Sequence, residues 1–170
     1  MKIVARLIEE SSRPVVLWGL GLATLLFMLV FSAVITPAIR VIAGGPPPDV
    51  VFYQTPEQLH DWLERGGDQV RRLYGWFLLA DTFYPLIYGL FFAALLWKLS
   101  NGGKAWHLAV YVVVADYLEN AMHAIILASY PRYPDWAAWI ATIATPFKWL
   151  MLLVVFMRAA YLWWRRSARD

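Results

Sequence analysis

Cysteine and charge are both scarce in this sequence. The chain has 170 residues and no cysteine, which excludes disulfides, thiolate metal sites and cysteine nucleophiles. Charged residues make up 16% of the chain, well below the roughly 25% of an average soluble domain. Hydrophobic residues make up 61%, and the net charge is only +3. This composition is typical of a protein that lies in a membrane.

Four long apolar runs account for most of the chain. They cover residues 15–39, 73–97, 106–130 and 136–162. Each run exceeds the roughly 20 residues that a helix needs to cross a bilayer. The first run is too long for a signal peptide and has almost no polar face, which a soluble helix would need. The sequence therefore predicts an all-α polytopic membrane protein, folded as one antiparallel four-helix transmembrane bundle over residues 1–170.

The distribution of lysine and arginine predicts the orientation of this bundle. Both termini and the connection between the second and third runs are basic, whereas the first loop, residues 40–72, carries charges of both signs. The positive-inside rule therefore places both termini in the cytoplasm, and we expect the inner (plasma) membrane. Aromatic residues near the ends of the runs fit an interfacial belt. They include Trp18, Tyr74, Trp97, Trp106, Trp136, Trp163 and Trp164.

The first loop, residues 40–72, is the longest connection. It begins with GGPPPD, which cannot be helical and is expected to be extended. In the following TPEQLHDWLER, Thr55 suits an N-cap and Pro56 the first helical position. We predict a short amphipathic helix that ends at the next two glycines and either rests on the membrane interface or forms a lid over the bundle. Its apolar residues are Leu59, Trp62 and Leu63.

Polar residues interrupt the third run in the stretch ADYLENAMH. Asp116, Glu119, Asn120 and His123 are spaced i, i+3, i+4 and i+7, which places them on one narrow helical stripe. Charged side chains in hydrocarbon each cost at least about 2.5 kcal/mol. We therefore expect this stripe to face inward, toward similar stripes in the second and fourth runs. Those stripes are Asp81, Tyr84 and Tyr88, and Thr142, Thr145 and Lys148.

The predicted polar interior contains more acids than bases. Its three carboxyl groups, on Asp81, Asp116 and Glu119, face one ammonium group, on Lys148. Ionising all of them in a dry cavity would be energetically unfavourable. One of four things is therefore expected: water enters, His123 is protonated, a metal binds or one carboxyl group stays neutral. Groups that share protons in this way are candidates for acid–base chemistry or proton coupling.

Other site types find less support in the sequence. Di-metal carboxylate bundles use Glu-x-x-His on two helices, but here Asn120 stands three residues before His123 and no second copy exists. We therefore predict no metal and no other cofactor. No G-x-S-x-G motif supports a serine hydrolase. The basic clusters lie at the membrane edges, as the orientation rule requires, so no nucleic-acid partner is predicted.

The stretch ADTFYPLIYG, followed by ADYLENAMH, resembles a pattern in small four-span bacterial membrane proteins of uncharacterised function. The pattern comprises Asp, Pro and Tyr in the second span, Asp-x-x-Glu-Asn in the third and Lys in the fourth, and it covers roughly residues 50–155. The layout is also distantly similar to the sterol-isomerase and sigma-2-receptor-like four-span family. Both resemblances imply architecture, and neither assigns a role to a residue. The matching residues are Asp81, Pro85, Tyr88, Asp116, Glu119, Asn120 and Lys148.

The leading functional hypothesis is a polar intramembrane cavity that binds a membrane lipid or another lipophilic or amphiphilic small molecule. If the protein is an enzyme, Glu119 and Asp116 are the candidate acid–base residues and Asp81 is their partner. Lys148 would orient them or stabilise negative charge, and His123 would relay protons to the surface. Two alternatives stay open: a proton-coupled transporter acting as a homo-oligomer, and a non-catalytic accessory subunit whose polar residues only hold the helices together. The candidate ligand-binding residues are Asn120, Tyr84, Tyr88 and Thr145.

Overall fold

Seven α-helices make up most of the chain in a computed structural model, which describes residues 2–168. Arg169, which contributes to the predicted basic C-terminus, lies outside the described residues. A π-helical turn joins α2 to α3, and no strand occurs within residues 2–168. The helices are α1 (Lys2–Ser11), α2 (Pro14–Val30), α3 (Thr36–Ala43), α4 (Pro56–Asp81), α5 (Tyr84–Leu99), α6 (His107–Ser129) and α7 (Asp135–Ser167).

The helices combine into four units, each long and apolar enough to cross a bilayer: Pro14–Ala43, Pro56–Leu99, Lys104–Ser129 and Asp135–Ser167. The predicted all-α four-helix transmembrane bundle is therefore confirmed, and the protein is a multi-pass membrane protein. We call the end of the bundle where α1 and the last turns of α7 lie the terminal end. The opposite end, where the first loop lies, is the loop end.

The helices of the first unit lie at the edge of the bundle. Helix α2 packs on α5 and α3 packs on α4, whereas α6 and α7 form the most extensive helix pair. Leu17 is the one buried residue of α2, and most of the helix surface is free for lipid. Aromatic contacts anchor the first unit: the rings of Phe27 in α2 and Phe31 in the π-helical turn lie 5.7 and 5.6 Å from that of Tyr84. The second, third and fourth units therefore enclose the interior.

The second unit differs from the continuous span predicted over 73–97. Helix α4 ends at Asp81, and α5 begins at Tyr84. Pro85 is the second residue of α5 and has no N–H group, so it cannot donate the helical hydrogen bond to the residue four positions earlier. The membrane helix therefore breaks beside Asp81, one of the candidate site residues.

The predicted amphipathic helix forms the first part of α4. Thr55 and Gln58 close a capping box, and the backbone leaves the helical conformation at Gly67, where φ is 60°. Its apolar face is buried against the bundle, where Trp62 packs edge-on against the ring of Tyr74 at 5.2 Å. The face therefore packs on protein and does not rest on the membrane interface. The buried residues of this face are Leu59, Trp62 and Leu63.

Two sequence expectations need correction. The GGPPPD segment is extended only in part: Pro47 has an extended backbone, but Pro48–Val50 forms a 3₁₀ turn and its Asp49 is buried. Tyr74, assigned to the interfacial belt, is buried in the core. In both cases the short helix at the start of α4 and the turn before it fold onto the bundle and cover these residues.

Candidate functional site

The centre of the bundle holds an ion cluster between α6 and α7. The Nζ atom of Lys148 lies 2.5 Å from Oε2 of Glu119 and 3.5 Å from Oδ1 of Asp116. All three side chains are buried, and Glu119 is 0% exposed. The three residues come from the predicted stripes of the third and fourth runs. The prediction that these stripes face one another is therefore confirmed.

Two hydroxyl groups fix the carboxylates of this cluster. Tyr88 of α5 donates a hydrogen bond to Oδ2 of Asp116 at 2.5 Å, and Thr145 of α7 donates one to Oε1 of Glu119 at 2.5 Å. Helix α5 approaches α6 closely because Gly89 has no side chain; a Cβ atom there would overlap Val113. This close approach brings Tyr88 within reach of Asp116.

The third carboxyl group lies at the helix break. Asn120 donates a hydrogen bond from Nδ2 to Oδ2 of Asp81 at 2.8 Å. The carbonyl oxygen of Asn120 has no hydrogen-bond partner within residues 2–168, although this side chain is only 7% exposed. An unpartnered buried acceptor is unfavourable, so Asn120 is a place where a further hydrogen-bond donor would be accommodated.

Asp49 belongs to the interior of the site, although sequence reasoning placed it among the surface charges of the loop. It is 4% exposed. Burial raises the pKa of Asp49 well above its ordinary value, nearby Lys148 opposes this, and the charges of Glu119 and Asp81 add to it. The only sequence signal is the rigid PPPD segment, because three prolines in a row restrict where the next residue can point.

Three other candidate residues contribute less directly. His123 is buried, its ring lies 5.9 Å from that of Tyr74, and its Nδ1 has no hydrogen-bond partner among the described residues. Tyr84 stacks on Phe27 beside the cluster. Thr142, in the same stripe as Thr145, donates only to a carbonyl of its own helix. The relay role of His123 stays a prediction.

A groove of about 500 Å³ opens between α4 and α6, toward the surrounding lipid. Four of its ten lining residues are glycine or alanine, so the two helices leave space between them. Asn120 lines the inner end of the groove. Tyr117 also lines it and donates a hydrogen bond to the backbone carbonyl of Thr82 at 2.8 Å, which links α6 to the end of α4. The small residues of the wall are Gly75, Ala121, Ala124 and Ala128.

The groove continues toward the loop end. A second cavity, of about 490 Å³, shares Leu127 with it and includes Arg71 and Arg72. Arg71 is held by an ion pair with Asp68 at 2.6 Å and lies over the ring of Tyr130. The groove therefore runs from a charged rim at the loop end to Asn120 in the interior.

No protein-family model, curated protein or solved structure matches this chain. The site is interpreted from its own geometry. Within the part of the chain that the structure describes, no group of three or more histidine, aspartate and glutamate side chains is placed to hold a metal ion. What the arrangement offers is a set of buried carboxyl groups around one lysine, beside an amide that lines the groove.

Proposed function

We propose that this protein binds a lipophilic or amphiphilic molecule, which enters sideways from the bilayer between α4 and α6. The observation that carries this proposal is the position of Asn120. This residue lines the groove and also holds Asp81 by a hydrogen bond. A molecule in the groove therefore has its inner end at the polar interior.

The dimensions and lining of the groove support a hydrocarbon chain as part of the ligand. Its volume of about 500 Å³ falls within the roughly 300–1,000 Å³ of small-molecule sites. Ala121, Ala124 and Ala128 lie on the outer surface of α6, where larger apolar residues would normally meet lipid. Small residues at these positions leave a channel that an acyl or isoprenoid chain can fill.

The inner end of the groove favours a ligand that donates hydrogen bonds. The Nδ2 group of Asn120 is used by Asp81, while its carbonyl oxygen has no partner in the described chain. A hydroxyl or amine group of the ligand would satisfy this oxygen. A ligand with a single acceptor group, such as a ketone, would leave it unpaired.

We further propose that the cluster behind Asn120 performs acid–base chemistry on the bound molecule. Asp81 is the carboxyl group that Asn120 contacts, and Glu119 and Asp116 lie beyond it around Lys148. Their carboxyl groups outnumber the ammonium group, so a proton can be held on one of several oxygens. Asp116 and Glu119 are the proposed proton carriers, and Asp81 is their partner, which Asn120 links to the groove.

The proposed orientation follows from the basic residues at the terminal end. We propose that the protein lies in the inner membrane. By the positive-inside rule, both termini then lie in the cytoplasm. The groove then opens into the outer leaflet, because it runs from mid-membrane toward the loop end. The proposed ligand is therefore one that is present in that leaflet.

Native mass spectrometry of protein gently extracted from its own membrane tests this proposal. We expect wild type to retain an amphiphile, and Ala124→Phe, which fills the groove, to lose it. Val114→Phe is the matched control, because Val114 is also on α6 and exposed to lipid but does not line the groove. Asn120→Leu should lose the same molecule. Bare, folded protein in every case would reject the proposal and leave helix packing as the role of the cluster.

A further inference from the structure

A separate cavity of about 530 Å³ lies at the terminal end of the bundle. It is formed by the segment between α5 and α6 and by the last turns of α7. It shares no lining residue with the groove and contains no residue of the carboxylate cluster. Its polar lining comprises Ser100, Asn101, Lys104, Arg158, Arg165 and Arg166.

The lining contains four cations and no carboxylate. Within residues 2–168, none of the four forms an ion pair, and the guanidinium group of Arg158 lies 5.4 Å from the ring of Tyr161. Like charges that share a cavity repel one another unless an anion lies between them. The cavity is therefore electrostatically suited to an anion.

The positive-inside rule alone does not explain this arrangement. It requires basic residues near the terminal end but not on one face of a helix. Arg158, Arg165 and Arg166 are spaced i, i+7 and i+8, so they lie on one side of α7. Lys104 comes from a different segment and meets them across the cavity. Two parts of the chain thus bring their charges to one place.

The turn between α5 and α6 is built to hold Lys104 in position. Asn101 and Gly102 adopt positive φ angles of 51° and 80°, and the amide of Gly102 donates to the carbonyl of Trp97 at 3.0 Å. The side chain of Ser100 bonds back to the carbonyl of Gly103 at 3.3 Å.

The cavity lies at the height where lipid phosphate groups are found. Trp163 and Trp164, in the same turns of α7, are 66% and 65% exposed. Exposed tryptophans of a membrane helix mark the headgroup region. We propose that this cavity binds a phosphate group, carried either by an anionic phospholipid of the surrounding leaflet or by a soluble phosphate ester.

The full-length protein in detergent provides the test, with two probes. One is phosphatidylglycerol, counted by native mass spectrometry against phosphatidylcholine with the same acyl chains. The other is glycerol 1-phosphate, followed through the unfolding temperature. The variants are Arg158→Gln and Arg165→Gln, both at exposed positions, so they are expected to fold. Arg13→Gln is the matched control, because it is exposed at the same end but does not line the cavity.

We expect each cavity variant to reduce binding about fivefold, as for the loss of one cation near a membrane surface, and the control to leave it unchanged. Loss of phosphatidylglycerol selectivity without an effect of glycerol 1-phosphate identifies the lipid as the source of the phosphate. Stabilisation by glycerol 1-phosphate that the variants abolish identifies a soluble ester. No response to either probe, or an equal loss in Arg13→Gln, overturns the proposal. None of these outcomes depends on the groove between α4 and α6.

Discussion

Asn120 on α6 donates a hydrogen bond to Asp81 at the last residue of α4, at 2.8 Å, and thereby closes the polar interior toward the groove. The two residues are 39 positions apart in the chain. The contact depends on the helix break before Tyr84, because the break places Asp81 at a helix end. A backbone irregularity in the second span thus determines how the interior meets the membrane.

The first prediction concerns the buried cation. Lys148→Met leaves Glu119 and Asp116 without their ammonium partner, and removal of one member of a buried ion pair typically costs about 3–5 kcal/mol. Glu119→Gln on the Lys148→Met background should recover part of this loss, since one uncompensated charge is removed. Unfolding in mixed micelles with rising denaturing detergent measures the two single variants and the double variant. A double variant that is as unstable as the sum of the single variants would argue against a coupled pair.

The second prediction compares two threonines on α7. Thr145→Val removes the donor to Glu119 and should cost about 1–3 kcal/mol, because a buried acceptor loses its partner. Thr142→Val should cost much less, because Thr142 bonds only to the carbonyl of Ala138. Both side chains are buried, so the substitutions remove the same atoms from similar surroundings. Equal losses of unfolding free energy would show that the Thr145–Glu119 bond contributes nothing specific.

The third prediction concerns the approach of α5 to α6. Gly89→Ala should destabilise the protein by about 1–3 kcal/mol, because the added Cβ atom overlaps Val113 and forces the helices apart. Gly19→Ala is the control: nothing lies within 4 Å of a Cβ atom there, and alanine favours a helix over glycine. Val113→Ala should rescue Gly89→Ala. Failure of this rescue in thermal unfolding would place the strain elsewhere.

The fourth prediction concerns pH. The pKa of Asp49 is raised by burial, so the folded protein binds a proton at this residue more tightly than the unfolded chain does. Stability from this residue is therefore greatest below the unfolded-state pKa of about 4 and is lost as the pH rises from there toward the raised folded-state value. Asp49→Asn has no carboxyl group here and should not show this loss. The unfolding temperature of Asp49→Asn minus that of wild type should therefore increase with pH.

Glu64→Gln provides the comparison for Asp49→Asn, since Glu64 is an exposed acid of the neighbouring helix. Unfolding temperatures of the three proteins across the acidic and neutral range make the measurement. The difference in unfolding temperature between Asp49→Asn and wild type could be constant with pH, or Glu64→Gln could show the same pH dependence. Either result would contradict a buried carboxyl group at Asp49.

Local spacing made the bundle and its polar stripes predictable. The i, i+3, i+4 and i+7 pattern around Glu119 and the high cost of charge in lipid together require inward-facing helices that meet. The interruption of the second span also had a signal, Pro85, whose missing N–H group breaks a helix. These features depend on residues close together in the chain.

Features that depend on distant contacts were not predictable in the same way. The burial of Asp49 depends on how the turn and the short helix at the start of α4 fold onto the bundle. The groove depends on the space left between α4 and α6. The amphipathic helix α1 is a further feature that the sequence analysis does not predict. Its Ile8 is buried in the core beside α5, whereas Ile3 and Leu7 are exposed. No periodic pattern specifies such interhelical distances.

The inward position of Asp49 has a practical consequence for anyone who engineers this protein. A long loop between two membrane helices is the usual place to insert an epitope tag or a fluorescent domain. Here the turn Pro48–Val50 is buried and carries a carboxyl group of the interior. An insertion at this point would alter the electrostatics of the ion cluster. Arg132, which is exposed and lines neither the groove nor the cavity beside it, is the better place for a reporter.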